Sequence, residues 1–488
     1  MTAPDRPRIA AVGAYAPRLR VPAEEYADAW GRFEGSGIEA TAVPNADEDA
    51  LTMGWEAATR ALDAAGQGAN EVGFLAFAST TPPLAEEDLT VRLGSTLGVP
   101  ENATRHVFTG STRASTRALS AALAAGPWGE HVGVVVASNA PRGEPGDERD
   151  HAAGAGAAAF VLDADGSGEI VATGEYATPY PGERFRTTGS ERTDGLAVTP
   201  YDRTAFRETL AGAVADLESR PETVDAAAVQ APDGALPYRV AESLGVETEA
   251  IHTCATVHDL GDTGAASVPL SISRALSDGH ERILVAAYGS GAGADAMVID
   301  AGSVPVNLDL DGDRELSYAE YLRRRGEITP GAPEGGGAYV SVPSWRRSLP
   351  HRHRLVAGRC PDCEALAFPP DGACPGCGAL VEYGKCQLPG TGTVEAVTTI
   401  SAGGAPPEFA EQQAQSGEFG VAIVAFDGPD GGPVTDPADD TVSIPAQVTD
   451  GGSENVGVGD RVEATIRRIY TQEGVTRYGV KVKPSDDG

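Results

Sequence analysis

Ile272-Ser-Arg-Ala-Leu-Ser-Asp-Gly279, followed by Ile283-Leu-Val-Ala-Ala-Tyr-Gly-Ser-Gly-Ala-Gly-Ala-Asp-Ala-Met-Val-Ile299, is the stretch from which the fold can be read. The first segment carries apolar residues at helical spacing and stops at a glycine. The second opens as an apolar run of strand length, passes through glycine and alanine, and ends in another apolar run. The same order occurs earlier in the chain: Leu119-Ser-Ala-Ala-Leu-Ala-Ala-Gly126 leads into Val132-Gly-Val-Val-Val-Ala-Ser138, and Gly154-Ala-Gly-Ala-Ala-Ala-Phe-Val-Leu162 follows. Two copies of helix, glycine stop, buried strand, small-residue stretch and strand predict duplicated α/β halves, with glycine where helices press on sheet. Outside the repeat, Ile9 to Val12 and Phe74 to Ala78 read as further buried strands. Ala50 to Ala65 has helical periodicity, with Glu48 and Asp49 just before it.

Four of the six cysteines form two knuckles, Cys360-Pro-Asp-Cys363 and Cys374-Pro-Gly-Cys377. Each places two sulfurs on one tight turn, and four thiolates at this spacing predict a tetrahedral zinc site; iron in a rubredoxin-like site is the competing reading. A disulfide reading needs an oxidising compartment, and no secretory signal precedes Pro7-Arg8-Ile9, so a cytoplasmic protein is expected. With four thiolates the ion has no open position, so it is expected to hold a fold and to do no chemistry. The net charge of −34 in 488 residues, with Lys385, Lys481 and Lys483 the only lysines, matches adaptation to concentrated salt, where the Debye length shrinks to ~3 Å. No apolar run approaches the ~20 residues that span a bilayer.

Gly289-Ser-Gly-Ala-Gly-Ala-Asp-Ala296, Gly261-Asp-Thr-Gly-Ala-Ala-Ser267, Pro232-Asp-Gly-Ala-Leu-Pro237 and Gly143-Glu-Pro-Gly146 before Ala153-Gly-Ala-Gly156 resemble the thiolase superfamily, and within it the archaeal hydroxymethylglutaryl-CoA synthases. The resemblance covers about residues 7 to 303. It implies a homodimer of five-layered αβαβα subunits, with halves at 1–165 and 166–303, joining acetyl and acetoacetyl groups carried on coenzyme A. That chemistry uses a cysteine at a helix N-terminus, a histidine and an asparagine on the thioester oxygen, and a glutamate that moves the proton. Matched residue by residue, Thr112 stands at the cysteine, Gln230 at the histidine, Asp262 at the asparagine and Thr80 at the glutamate. All four are changed. A hydroxyl needs a base in reach, which Gln230 cannot be, and a charged Asp262 would repel an oxyanion. Cys254, between His252 and His258, is the spare thiol of this region; its plainer reading is a half-buried cysteine beside solvated histidines. Gly289 and Gly291 are expected to permit close packing around an acyl-pantetheine tunnel. Arg113 and Arg117 could meet a CoA phosphate or pair with carboxylates.

Residues 304–350 read as a linker with one amphipathic helix, Tyr318 to Arg325, whose tyrosine and leucine could dock on a neighbour. Residues 351–386 hold the zinc ribbon, in which Cys386 reads as a buried strand residue. In 387–485, five strand-like segments, Thr391 to Ile400, Phe419 to Phe426, Thr441 to Val448, Arg461 to Tyr470 and Arg477 to Val482, predict a small all-β OB-type barrel. Residues 315 to 485 resemble a family that joins a rubredoxin-like zinc ribbon to an OB-fold and associates with thiolases. The resemblance implies a module that binds partners and shelters the pantetheine arm. Zinc ribbon plus OB-fold also suggests nucleic-acid binding, but the barrel segment offers few aromatics interleaved with cations. The leading expectation is therefore an acyl-CoA-binding, non-catalytic partner of a thiolase or other condensing enzyme. An active hydroxymethylglutaryl-CoA synthase or other acyltransferase is the alternative.

Overall fold

The two copies of the repeat become two sheets facing each other across a shared pair of helices. In the computed structural model, residues 6–196, 198–219, 223–329, 342–401, 409–429, 440–450, 456–472 and 474–485 are described. They divide into two compact units, Met1–Leu322 and Arg323–Gly488. In the first unit, the first copy is the helix Ala114–Ala125, the strand Val132–Asn139 and its antiparallel neighbour Gly156–Asp163. The second copy is the helix Ser267–Ser277, the strand Arg282–Gly289 and its antiparallel neighbour Gly291–Asp300.

The first sheet runs Val306–Asp309, Arg8–Tyr15, Gly156–Asp163, Val132–Asn139, Val72–Ala78, Thr104–Phe108. The second runs Glu169–Tyr180, Gly291–Asp300, Arg282–Gly289, Ala226–Val229. Between them lie Ala114–Ala125 and Ser267–Ser277, and one core draws Ala118, Ala122, Val268 and Ile272 from the helices and Phe74, Val135, Val285 and Met297 from both sheets. The helix Ala50–Ala65 covers the outer face of the first sheet, and Thr199–Ala215 that of the second. The layers are therefore αβαβα, the thiolase-like order. Small residues make the layers possible: a Cβ on Gly13 would sit 2.3 Å from the Ala61 nitrogen. The outer helix starts where the sequence places it, because Asp49 accepts from the Leu51 and Thr52 amides while Thr52 accepts from the Asp49 amide.

Part of the expected linker belongs to this unit. Val306–Asp309 adds a parallel edge strand to Arg8–Tyr15, and Arg314–Glu315 pairs with Leu19–Pro22 in a small sheet completed by Ala40–Val43. In the helix Tyr318–Arg324, Tyr318 and Tyr321 are buried beside Tyr26, and their hydroxyls donate to the two oxygens of buried Asp150 at 2.8 and 2.7 Å. These strands are short and set among acid and glycine, so composition alone hid them. The tyrosines dock within their own unit.

In the second unit the strands Val356–Arg359, Leu366–Ala367 and Gly384–Gln387 form the ribbon sheet. Five strands, Thr391–Ile400, Phe419–Asp427, Thr441–Val448, Val475–Pro484 and Arg461–Gln472 in spatial order, close into a barrel through the pairing of Thr391 to Thr393 with Glu463 to Arg461. Gly420, Ala422, Val424 and Phe426 alternate inward along one strand, the period that a half-buried strand requires. Cys386 is a buried strand residue and joins Leu355, Leu366 and Leu388 in one core with Val424 and Phe426. No helix among the described residues is long and apolar enough to cross a membrane.

Candidate functional site

Of the four positions that the resemblance matches to synthase residues, Gln230 and Asp262 bond Gly264 in the turn Gly264–Ala266, which leads into the Ser267–Ser277 helix, and Thr80 reaches that turn through Asn139. Gln230, at the end of the strand Ala226–Val229, donates through Nε2 to the Gly264 carbonyl at 2.8 Å. Asp262 accepts from the Gly264 amide through Oδ1 at 2.9 Å. Thr80 follows the strand Val72–Ala78 and is tied to buried Asn139. Its amide donates to the Asn139 Oδ1 at 2.6 Å, and its hydroxyl accepts from Nδ2 at 2.9 Å. Asn139 in turn lies against Gly264, where a Cβ would come within 2.2 Å of Nδ2. Glycine at 264, with φ of +53°, permits both the backbone conformation and this approach.

The fourth position is Thr112, buried just before the Ala114–Ala125 helix, which itself packs on the Gly264–Ala266 turn. Its hydroxyl donates to the Tyr288 carbonyl at 2.7 Å. No basic side chain accepts that proton, so the hydroxyl is a structural donor. Cys254 is fully buried in the central core, and burial pushes its thiol up to about 12. It is not half-buried, as the sequence suggested, because the turn after Thr248–His252 faces the core. His258 bonds the Gly37 carbonyl and the Tyr238 hydroxyl, and His252 is exposed.

Arg113 and Arg117 are both engaged by carboxylates. Arg113 reaches buried Asp295 at 2.8 Å and Glu175 at 3.2 Å, and Arg117 reaches Glu175 at 2.8 Å. Thr116 also donates to Asp295 at 2.6 Å. Gly289 and Gly293 make room for this packing: a Cβ on Gly289 would lie 2.4 Å from the Ser111 Oγ, and one on Gly293 would lie 2.5 Å from the Arg113 Cζ. Gly291, with φ of +106°, turns its amide onto the Glu183 carboxylate at 2.7 Å.

Glu183 and its neighbours are the part of the site that sequence reasoning missed. They lie between the strand Glu169–Tyr180 and the helix Thr199–Ala215, in a segment rich in glycine, proline and threonine. The alternating Glu183-Arg184-Phe185-Arg186 was the available signal. Burial pushes the Glu183 carboxyl up to about 7, against the opposing pull of the Gly291 amide, Arg184 and Arg149. Arg184 forms an ion pair with Asp262, the two side chains only 12% and 7% exposed. Arg186 donates to the Thr80 carbonyl, and Arg149 to the Glu183 carbonyl at 2.7 Å.

In the second unit the four knuckle sulfurs lie within 4.8 Å of one another, the only such cluster among the described residues. Sγ separations are 3.9 Å for Cys360 and Cys377 and 3.5 Å for Cys363 and Cys374. A tetrahedron of thiolates about a zinc ion has edges of about 3.8 Å, so the set fits zinc. The Cys360 amide donates to the Ala365 carbonyl and the Cys374 amide to the Ala379 carbonyl, which folds each knuckle around its sulfurs.

A hydroxymethylglutaryl-CoA synthase of Methanopyrus kandleri is 32% identical over 348 residues, covering 67% of this chain and 96% of the relative. The chain belongs to the hydroxymethylglutaryl-CoA synthase family. The synthase of Archaeoglobus fulgidus is 28% identical over 66% of this chain and 98% of its own length. The fold of the family is matched by a solved HMG-CoA synthase complexed with CoA, with a TM-score of 0.59, 18% identity, and coverage of 69% of this chain and 94% of that one. A second match is MvaS in complex with 3-hydroxy-3-methylglutaryl coenzyme A, with a TM-score of 0.57, 19% identity, and coverage of 68% and 94%. Beyond the synthase-like region, residues 347–381 match the ChsH2, rubredoxin-like zinc ribbon domain. The chain is thus a family member with a ribbon and barrel attached.

Proposed function

We propose that this family member binds an acyl-CoA in its synthase-like unit without forming an acyl-enzyme, and acts as a non-catalytic partner or scaffold for a CoA-condensing assembly. One observation carries the reading: the Thr112 hydroxyl, at the nucleophile's position, donates to a backbone carbonyl and has no base to activate it. Gln230 spends an amide donor on the Gly264 carbonyl, and Asp262 is an acceptor paired with Arg184, so the pair does not reproduce a histidine and an asparagine aimed at a thioester oxygen. Relatives whose solved structures hold CoA, or an acyl-carrier protein as in the curacin-pathway synthase, support a ligand of that class. Zinc on the four thiolates holds the ribbon fold, and the ribbon and barrel supply the surface that meets a partner. A homodimer in the cytoplasm completes the reading.

Purified protein in molar KCl should bind acetyl-CoA or acetoacetyl-CoA, yet release no CoA above the uncatalysed rate and carry no labelled acyl group. Thr112→Ala should still bind. Its cost is the hydrogen bond to Tyr288, about 1 kcal/mol of stability. A labelled acyl group recovered on Thr112 or Cys254 would refute the reading. The second reading, an active acyltransferase, is favoured by Glu183, whose carboxyl near 7 is poised for proton transfer. CoA release that disappears in Glu183→Gln would replace the first reading with this one.

A further inference from the structure

Residues 182–196 form a hairpin whose inward side chains bond two of the four positions that the resemblance matches to synthase residues. The Leu196 amide donates to the Gly182 carbonyl at 2.8 Å, and Phe185 and Asp194 exchange backbone bonds of 2.9 and 2.8 Å. The outer side of the hairpin faces water: Phe185 is 39% exposed and Leu196 59%, and Arg186, Thr187 and Thr188 are exposed as well. The inner side is tied to the rest of the unit. Arg184 pairs with Asp262, Glu183 accepts from the Gly291 amide at 2.7 Å, and the Thr193 amide donates to the Arg142 carbonyl at 2.7 Å. Arg186 donates to the Thr80 carbonyl, and Arg149 to the Glu183 carbonyl. Each of these ties is a hydrogen bond or an ion pair, while Phe185 and Leu196 remain largely in water. A segment held in this way opens at lower cost than one held by core packing, because water replaces each polar tie as it breaks.

We propose that this hairpin is an autoinhibitory strap, and that an acyl-CoA reaches Asp262 and Thr80 only after the strap lifts. The inference rests on the acyl-CoA reading above and adds its regulation. Strap and ligand compete for the same groups, since the bonds of Arg184 to Asp262 and of Arg186 to the Thr80 carbonyl must break before anything else can meet either residue. The apparent affinity of the parent chain is then its intrinsic affinity reduced by the fraction of chains whose strap stands open. Loosening the strap must therefore tighten binding. Were its arginines contacts to the ligand, their loss would weaken binding instead.

Isothermal titration with acetyl-CoA in molar KCl tests this in three full-length chains: the parent, Arg186→Ala and Arg149→Gln. Each variant cuts one tie of the strap and leaves Asp262 with its partner. Both should bind acetyl-CoA at least about threefold more tightly than the parent. Binding by the variants alone is the same result at its limit. A merely structural role for these arginines would weaken binding or leave it unchanged, so equal or weaker binding by both variants overturns the strap and leaves the acyl-CoA reading standing. Binding by none of the three chains overturns both. Hydrogen exchange of the parent chain is the second readout, because the Gly291 and Thr193 amides are held by the strap's own ties. Both should exchange faster when acetyl-CoA saturates the chain. Exchange that slows on binding, or that occurs only through global unfolding, makes the hairpin a fixed part of the fold and overturns the strap.

Discussion

At the scale of single residues, what distinguishes this chain is where protons and charges are held. Glu183 keeps its proton up to about pH 7 in the folded chain, while an unfolded glutamate releases it near 4.5. Between those values the unfolded chain has lost a proton that the folded chain retains. This group's contribution to stability therefore falls as pH rises from 4.5 to 7, and is level above that. The full difference is about 3 kcal/mol. Glu183→Gln removes the titration but keeps an acceptor for the Gly291 amide, so it should gain on the parent chain by up to that amount across the window. Denaturant unfolding at constant salt measures this, and a stability difference that does not change with pH would show that Glu183 ionises normally. The four positions expected to replace the synthase residues were read from local motifs. Their new partners were not: Arg184 lies 78 residues from Asp262, and no spacing in the chain announces that pair.

Among the elements, the two knuckles are the most self-contained. Backbone bonds within each turn set the sulfurs, and the ribbon shares its core with the barrel through Leu355, Leu366 and Cys386. The chain as purified without chelator should carry about one zinc ion. Cys360→Ser should lose that ion and the ribbon's fold, because ion binding and folding of such a site are one equilibrium. Metal analysis together with limited proteolysis checks this; the fragment from the synthase-like unit should survive. A Cys360→Ser chain with full metal content would remove Cys360 from the ligand set. The strands of the barrel and the helix Ala50–Ala65 were legible for a related reason, since alternation and the Asp49 cap are written within a few residues. Val306–Asp309 was not, because four residues of edge strand acquire meaning only beside Arg8–Tyr15.

Over the whole molecule, dispersed acid gives a net charge of −34 with few lysines to offset it. Self-repulsion of that charge should lower stability in dilute buffer, and molar salt, with a Debye length of ~3 Å, should relieve it. The melting temperature should therefore climb steeply between low and molar KCl; a flat dependence would mean that the charges are already compensated by pairing. Charge, like the cysteine spacing and the helix–glycine–strand repeat, is a property of the sequence by itself. So are the periodicities that define each element, because propensity, capping and alternation act over a few residues. The tertiary structure alone decided that Gln230 and Asp262 bond Gly264 while Thr80 reaches it through Asn139, that Thr112 spends its proton on Tyr288, and that Arg184 and Arg186 bond Asp262 and the Thr80 carbonyl. Those outcomes depend on which surfaces come together when two sheets close on a shared pair of helices, and that choice is made by burial across the whole unit and not by any local pattern.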